Sequence, residues 1–320
     1  MTLAATPQGP DQRLLDKLNR EIGPDLRRFL ADPNVTGIAY NSDQAVWVKR
    51  SGEEYEHEGY FPSTQAEQMM MTLAALKSEV ITREDPSLTT VLPDGSRFEG
   101  QIPPIVLAPS FTIRKRAMHI YTLEDYVSQG AMTTRQMVVI KGMMDANKNV
   151  LITGGVGTGK TTLVNAVIDY LSKAHRKDRL IILEDTLEIQ SAAPNTQFMQ
   201  TATKLGFDFL LHKTLRSDPA RIILGEVRGA KAAQRLIEAW NTGNEGGLCT
   251  LHANTAADSL IRVETLLKEA TVGAMSRGSI TAAVKGVVSL ISTPQGRRVH
   301  EILSVNGLDA AGNYLTTTED

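Results

Sequence analysis

Residues 150–167 read VLITGGVGTGKTTLVNAV: an apolar run, a glycine-rich loop and a segment able to form a helix. The loop matches G-x-x-x-x-G-K-[S/T] in full, between a predicted strand and a predicted helix. Glycines let the backbone approach phosphates, and the amino end of the helix attracts anions. The sequence therefore predicts a nucleoside triphosphate site. Its predicted binding residues are Gly154, Gly155, Val156, Gly157, Thr158, Gly159, Lys160, Thr161 and Thr162.

Two side chains of this phosphate loop, residues 154–161, have distinct predicted tasks. Lys160 should reach the β- and γ-phosphates, and the hydroxyl of Thr161 should bind Mg²⁺. ATP and Mg²⁺ are therefore the expected cofactors. The loop alone does not identify the work that hydrolysis would drive.

Carboxylates follow two further apolar strands. The stretch RLIILED (179–185) ends in Glu184 and Asp185, with Glu188 close behind, and RIILGE (221–226) ends in Glu226. Ligands of open α/β sheets bind beyond the carboxyl ends of the strands. We expect these acids to face the phosphates, with Asp185 and Glu226 as metal ligands, partly through water. Which of Glu184, Glu188 and Glu226 activates the attacking water stays open.

Three other side chains are candidates for catalysis. Arg216 and Arg228 flank the 221–226 strand, and either could stabilise transition-state charge, within one chain or across a subunit interface, or form a structural ion pair. His252 lies in the stretch LCTLHAN (248–254), where the predicted strand leaves the sheet. It is predicted to sense the γ-phosphate by hydrogen bonding. Strand alternation turns Cys249 to the opposite face, which favours a core role for its thiol.

The pattern of elements predicts an α/β fold with a mostly parallel sheet from residue 131 to 320. A smaller α+β domain is predicted for residues 1–117, with residues 1–10 disordered, and a linker for 118–130. In the first domain we expect a helix from Asp11, kinked at Gly23-Pro24, and another over 63–77 that is capped by Ser63.

Composition excludes several classes. The 320 residues are 42% hydrophobic and 22% charged with a net charge of −2, so there is no chain-wide basic field for nucleic acid, and sequence-specific nucleic-acid binding is not expected. One cysteine excludes an internal disulfide or a multi-cysteine zinc site. The amino terminus lacks the features of a signal peptide, and no uncharged stretch is a convincing membrane span. We expect a cytoplasmic protein.

Together these motifs resemble those of the type II and type IV secretion (traffic) ATPases. The order matches: the phosphate loop, then ILEDTLE (182–188), then Leu215-Arg216 through GEVR (225–228), then TLHAN (250–254). A single cysteine cannot supply the tetracysteine zinc element of many type II members, so the chain looks closest to the conjugal-transfer branch of type IV systems. Asn244-Glu245 stands where many relatives have His-Pro, and no role is carried over to these positions.

The amino-terminal half also resembles the family, through DPNVTGI (32–38), LPDGSR (92–97) and TIRK (112–115), although Gly37 replaces a frequent acid. The resemblance implies a RecA-like P-loop NTPase domain, a homohexameric ring, and ATP held between the two domains with phosphate contacts from Arg97 and Arg114. It implies a motor at the cytoplasmic face of the inner membrane, weakly membrane-associated, which works with membrane components of a mating apparatus. Its hydrolysis would power pilus biogenesis or substrate transfer.

Three other functions are weighed against this one. A nucleic-acid motor is supported by the basic run KAHRKDR (173–179), although a solvated helix end explains that run as well. A small-molecule kinase would need an acceptor pocket and should work as a monomer, and the amino-terminal domain and the histidine element speak against it. A transport cassette would need an LSGGQ-like signature, which the sequence lacks.

Overall fold

The computed structural model describes residues 12–116, 120–202, 205–270 and 276–319. The chain divides into two compact units, Met1–Met118 and His119–Asp320. The disorder predicted for residues 1–10 lies outside the described residues. Across the described ranges, no helix combines the length and the apolar character needed to cross a bilayer.

The first unit packs helices on one antiparallel sheet. In this sheet β3 and β4 form the edges, in the order β3-β2-β1-β6-β5-β4. Its core joins the apolar faces of both helices to the inner face of the sheet. The elements of this unit are α1 (Gln12–Ala31), β1 (Val35–Tyr40), β2 (Ala45–Arg50), β3 (Tyr55–Tyr60), α2 (Ser63–Leu76), β4 (Ser87–Val91), β5 (Arg97–Gln101) and β6 (Ser110–Arg114).

Both helices of this unit agree with the prediction from the sequence, except that the N-cap residue of α2 is different. Helix α1 is interrupted at Gly23, whose φ of 69° lies outside the helical region, immediately before Pro24. Helix α2 begins at Ser63 and its N-cap is Pro62, so the predicted capping role of Ser63 is wrong. The carbonyl of Pro62 already accepts hydrogen bonds from the N–H groups of Gln65 and Ala66, which moves the start of the helix back by one residue.

The second unit contains one sheet in the order β14-β13-β12-β7-β11-β10-β8-β9. Within the described residues, the strands from β12 to β9 are parallel, as predicted, whereas β13 and β14 run antiparallel at one edge. The elements are α3 (Leu123–Ser128), α4 (Thr134–Asp145), β7 (Val150–Gly154), α5 (Lys160–Ala174), β8 (Leu180–Glu184), β9 (Thr196–Gln200), α6 (Phe207–Thr214), β10 (Arg221–Leu224), α7 (Ala230–Trp240), β11 (Leu248–Leu251), α8 (Ala256–Glu269), α9 (Arg277–Ala283), β12 (Gly286–Thr293), β13 (Gly296–Leu308) and β14 (Tyr314–Thr318).

Apolar side chains cover this sheet on both faces. Side chains of α3, α4 and α5 form the core on one face, and side chains of α6 to α9 form the core on the other. Leu248 belongs to the first core and Cys249 to the second, so the predicted alternation along β11 is correct. Cys249 is fully buried, and burial raises the pKa of its thiol well above the usual value. Both observations agree with a packing role.

Part of the predicted linker is a helix. Thr122 and Asp125 form a reciprocal capping box at the start of α3, and Leu123 and Tyr126 are buried in a core of the second unit. Residues 123–128 are therefore a packed part of that unit rather than a connecting segment. The next helix, α4, is capped by Thr133, one of the two candidates at this position.

A buried arginine connects several segments at the amino-terminal edge of the parallel strands. The side chain of Arg221 is 1% exposed, and its Nε pairs with Asp178 in the turn before β8. Its two terminal nitrogens donate to the carbonyls of Met144 and Gly246 at 3.1 and 3.3 Å, and to Oδ1 of Asn147 at 2.7 Å. A charge this deeply buried is tolerated only with such complete pairing.

We predict that Arg221→Met lowers the free energy of unfolding by about 3 kcal/mol, because two carbonyls and a carboxylate lose their donor. Urea denaturation of the purified protein measures the loss. Arg235→Met is the control: Arg235 is half-exposed and pairs with its helix neighbour Glu238, so its removal should change stability by less than about 0.5 kcal/mol. Equal, small losses in both variants would contradict the structural role of Arg221.

Candidate nucleotide-binding site

The phosphate loop connects β7 to α5 through a tight backbone path. Gly154 has a φ of 153°, and a Cβ at this position would lie 2.6 Å from the carbonyl oxygen of Leu290 and from Oγ1 of Thr158. Gly159, with a φ of 93°, directly precedes the helix. Only glycine fits the first position, and the second strongly favours it. The turn therefore directs the amino end of α5 towards the carboxyl edge of the sheet.

Lys160 lies over this loop. It is 8% exposed, and its Nζ donates to the carbonyls of Gly154 and Gly155 at 3.0 and 2.9 Å. The same Nζ lies 3.1 Å from Nδ1 of His252. The hydroxyls of Thr161 and Thr162 are half-buried in the first turn of α5.

A continuous polar chain extends from Lys160 across the sheet edge. Nε2 of His252 lies 3.1 Å from Oε1 of Glu226. The other oxygen of Glu226 accepts from Arg228 at 2.9 Å, and Arg228 also donates to Asp185 at 2.6 Å. We call these five residues the polar chain: Lys160, His252, Glu226, Arg228 and Asp185.

The hydrogen-bond partners of His252 orient its imidazole ring. A lysine ammonium only donates and a carboxylate only accepts. The geometry therefore fits Nδ1 as the acceptor from Lys160 and Nε2 as the donor to Glu226. The hydrogen bond that Arg228 donates to Glu226 raises the pKa of the Arg228 guanidinium, and the charge of Asp185 adds to this effect.

The register of the strands explains why these residues meet. Leu183 pairs with Leu224, Leu224 with Cys249, and Cys249 with Leu151, so the strands are aligned residue by residue. Parallel strands in such register end at one edge. The side chains that follow each strand therefore project beside the phosphate loop, as the sequence predicted for Glu226 and His252.

The carboxylate of Glu184 binds backbone N–H groups, a contact that the sequence did not predict. It is 3% exposed, and its Oε1 accepts from the N–H groups of Glu188 and Ile189 at 3.0 and 2.9 Å. Its carboxylate therefore holds the turn that follows β8. Glu188 is half-buried, and its charge acts on Arg228.

Arg216 does not reach the phosphate loop of its own chain. It is exposed in the turn between α6 and β10, where the neighbouring Ser217 carbonyl accepts from Arg179 at 2.8 Å. Arg179 directly precedes β8, so this turn lies at the amino-terminal edge of the sheet. Of the three possibilities for Arg216, this position disfavours contact with the loop of its own chain, whereas contact across a subunit interface and a structural ion pair stay predictions. Arg228, by contrast, does form the ion pairs that were considered for it.

Arg97 and Arg114 belong to the first unit and lie side by side. They are direct partners across β5 and β6, and neither is buried. Side chains at paired positions project from the same face of a sheet about 5 Å apart at Cβ, and like charges there repel. An anion between them would relieve that repulsion.

The basic run 173–179 is largely occupied by contacts within the chain. Lys173 pairs with Asp169, and His175 lies 2.8 Å from Asp145. Arg179 donates to Asn195 and Gln197 as well as to Ser217. These contacts agree with the interpretation of the run as a solvated helix end.

Two features of the site were missed by sequence reasoning. A groove of about 610 Å³ lies between the loop tip and α8, and Asn254, Asp258 and Arg262 contribute to its lining. Arg297, in the hairpin of β12 and β13, places its Cδ 3.4 Å from where a Cβ at Gly159 would lie. Asn254 lies in the TLHAN stretch, but no motif marks Asp258, Arg262 or Arg297, because their position depends on how α8 and the hairpin return to the loop.

The candidate metal ligands do not form a protein-only cluster. Over the described residues, no group of three or more His, Cys, Asp or Glu side chains could hold a metal ion. Asp185 and Glu226 are both engaged by Arg228. Thr161 stays the predicted protein ligand of a Mg²⁺ ion whose other ligands would be phosphate oxygens and water.

Comparison with known proteins places these features in context. The family described as type II/IV secretion system protein matches residues 26–306. The probable conjugal transfer protein TrbB of Sinorhizobium fredii is 44% identical over 94% of this chain and 92% of its own length. The type IV secretion system protein VirB11 of Bartonella henselae is 27% identical over 82% of this chain and 85% of its own length.

Solved structures share the fold. The ATPase DotB of Yersinia pseudotuberculosis superposes with a TM-score of 0.64 at 18% identity, over 95% of this chain and 81% of that chain. The pilus retraction motor PilT, solved with bound ADP, gives a TM-score of 0.60 at 16% identity, over 92% and 81%.

We predict that Glu184→Ala lowers the free energy of unfolding by about 2 kcal/mol, because two N–H groups lose their acceptor. Glu184→Gln keeps an acceptor oxygen and should lose less than half as much. Glu188→Ala, a half-buried neighbour, is the control and should change stability by less than about 0.5 kcal/mol. Denaturant unfolding of the three variants measures this order, and an Ala variant as stable as the wild type would refute the turn-holding role.

Proposed function

We propose that this chain, which belongs to the type II/IV secretion system protein family, is the ATP-hydrolysing motor of a type IV secretion or conjugal transfer system. Its hydrolysis would power pilus biogenesis or substrate transfer across the inner membrane. The observation that carries the proposal is the polar chain from Lys160 through His252 to Glu226, which begins at a complete phosphate loop.

The residues of the loop fit a bound nucleotide. Gly155 and Gly157 leave exposed backbone at the loop tip, and the second has open space where a Cβ would stand. Lys160 provides a cation at the amino end of α5, where the helix dipole also attracts anions. Thr161 provides the hydroxyl that Mg²⁺ binds in such sites. Bound ATP would supply the phosphoanhydride bond that is hydrolysed.

Each member of the polar chain has a role in this proposal. Lys160 binds the terminal phosphates and stabilises charge as it develops on them. Glu226 orients the attacking water, and the N–H of His252 holds the Glu226 carboxylate in place. Arg228 sets the position of Glu226 and Asp185. Glu184 supports the turn that carries Glu188, so among the three acids we assign the water to Glu226.

Arginines outside the polar chain complete the proposed machinery. Arg97 and Arg114 are a pair of like charges, which we assign to phosphate contacts. Arg216 is exposed away from its own loop and is available to the site of a neighbouring copy. Family membership supports the rest of the proposal: a RecA-like domain that works in a homohexamer at the cytoplasmic face of the inner membrane, beside the membrane components of a mating apparatus.

We predict that Lys160→Ala reduces ATP hydrolysis by at least about 10²–10³-fold, since it removes a preorganised cation from the phosphates. Phosphate release with ATP and Mg²⁺ measures the rate, and circular dichroism checks the fold. Lys268→Ala is the control, because Lys268 is 69% exposed on α8 and pairs with Glu264. Undiminished turnover in the Lys160 variant would refute the site.

We also predict a sixfold assembly of the wild-type protein with ATP and Mg²⁺, measured by native mass spectrometry. Because Arg216 would act between copies, Arg216→Ala should lose hydrolysis, and adding the Lys160→Ala protein, which keeps Arg216, should partly restore it in mixed assemblies. A monomer that hydrolyses ATP at full rate, or one that needs DNA or a small acceptor, would overturn the motor assignment.

A further inference from the structure

We infer that Arg297 is a nucleotide-binding residue that contacts the phosphates common to ATP and ADP, on the flank of the phosphate loop opposite His252. This inference rests on the proposed nucleotide site. It adds a residue that lies outside every recognised motif of the chain.

The β12–β13 hairpin brings Arg297 to the loop. Strand β12 runs parallel to β7 and pairs Leu290 with Gly154, the first residue of the loop. The hairpin then continues past the end of β7, where Ser292 pairs with Arg297. The side chain of Arg297 returns towards α5, so its Cδ lies 3.4 Å from the Cβ position of Gly159. Gly159 is the N-cap of α5.

The order of the strands separates two flanks of the loop. His252 follows β11 and Glu226 follows β10, and both strands lie on one side of β7. The hairpin lies on the other side, next to β12. A nucleotide whose terminal phosphate is at Lys160 and His252 therefore has its inner phosphates nearer the hairpin flank.

The charge of Arg297 lies where an anion would bind. Four arginines of the second unit pair with carboxylates, namely Arg221, Arg228, Arg235 and Arg277. In the part of the chain that the structure describes, no carboxylate forms an ion pair with Arg297. Instead its exposed side chain lies at the amino end of α5, where the helix dipole and Lys160 are also positive. A phosphate there would interact favourably with all three.

Tyr126 supports the placement of the guanidinium. This tyrosine is 9% exposed, and burial raises the pKa of its hydroxyl well above the usual value. The positive charge of Arg297 acts in the opposite direction on this pKa, so the guanidinium lies within electrostatic reach of the Tyr126 hydroxyl.

The neighbouring residue provides a matched control. Arg298 is also exposed and pairs with Ile291 one step further along the hairpin. Successive side chains of a strand leave opposite faces, so Arg298 points away from the face that carries Arg297. The two substitutions remove the same charge from adjacent positions.

The test measures binding rather than turnover. Isothermal titration calorimetry of the full chain with Mg²⁺–ADP and with a non-hydrolysable ATP analogue gives both dissociation constants. Arg297→Ala should weaken both ligands about tenfold, as expected for one charge-assisted contact, and Arg298→Ala less than twofold. Arg297→Lys keeps the charge and should recover most of the affinity.

Each alternative result contradicts a definite part of the inference. If Arg297→Ala binds both ligands like the wild type, the inference is wrong and the proposed function stands. If only the ATP analogue is weakened, Arg297 contacts the terminal phosphate and the assignment to shared phosphates is wrong. If Arg297→Lys binds as poorly as Arg297→Ala, the contact depends on the shape of the guanidinium and the assignment to a charge interaction alone is wrong. If the wild type binds neither ligand, the proposed function itself fails.

Discussion

Parallel backbone hydrogen bonding among β7, β11, β10 and β8 is the constraint on which the second unit depends. These strands pair without a register shift, so their carboxyl ends finish together at one edge of the sheet. Parallel strands are stable when both of their faces are buried, and here helices cover each face. Polar side chains can therefore lie close together at the carboxyl edge of the sheet without being buried in the core. The phosphate loop, Glu226 and His252 are neighbours for this reason, although about a hundred residues of sequence separate the first from the last.

The two edges of this sheet use charge in different ways. At the amino-terminal edge, Arg221 is fully buried and every contact fixes the position of a surrounding segment. At the carboxyl edge, Arg228 and His252 keep 49% and 45% of their side-chain surface exposed. Exposed ion pairs contribute roughly 0–1 kcal/mol each, so the polar chain adds little to stability. Its arrangement is better explained by binding, because weakly held side chains can exchange their mutual contacts for those of a ligand.

The phosphate loop is contacted from several directions by elements that are distant in sequence. His252 reaches Lys160 from β11, and Arg297 reaches Gly159 from the β12–β13 hairpin. Lys160 and Arg297 are therefore cations beside the loop, and an anionic chain of phosphates would meet positive charge at Lys160 and on the hairpin flank. The buried carboxylate of Glu184 holds the turn after β8, which contains Asp185 and Glu188. A residue that resembles a catalytic acid in sequence thus supports the backbone beside the site.

The sequence by itself determined the phosphate loop, the strands of the central sheet and the side chains at their ends. These features are local: apolar runs, glycines at fixed spacing and helix caps act within a few residues. The antiparallel edge of β13 and β14, the helix α3 within residues 118–130 and the positions of Arg216 and Arg297 required the tertiary structure. Each depends on which distant segments pack together, and no short pattern encodes that. Arg216 and Arg228 illustrate the difference, because both flank β10 in sequence, yet strand direction places one at each edge of the sheet.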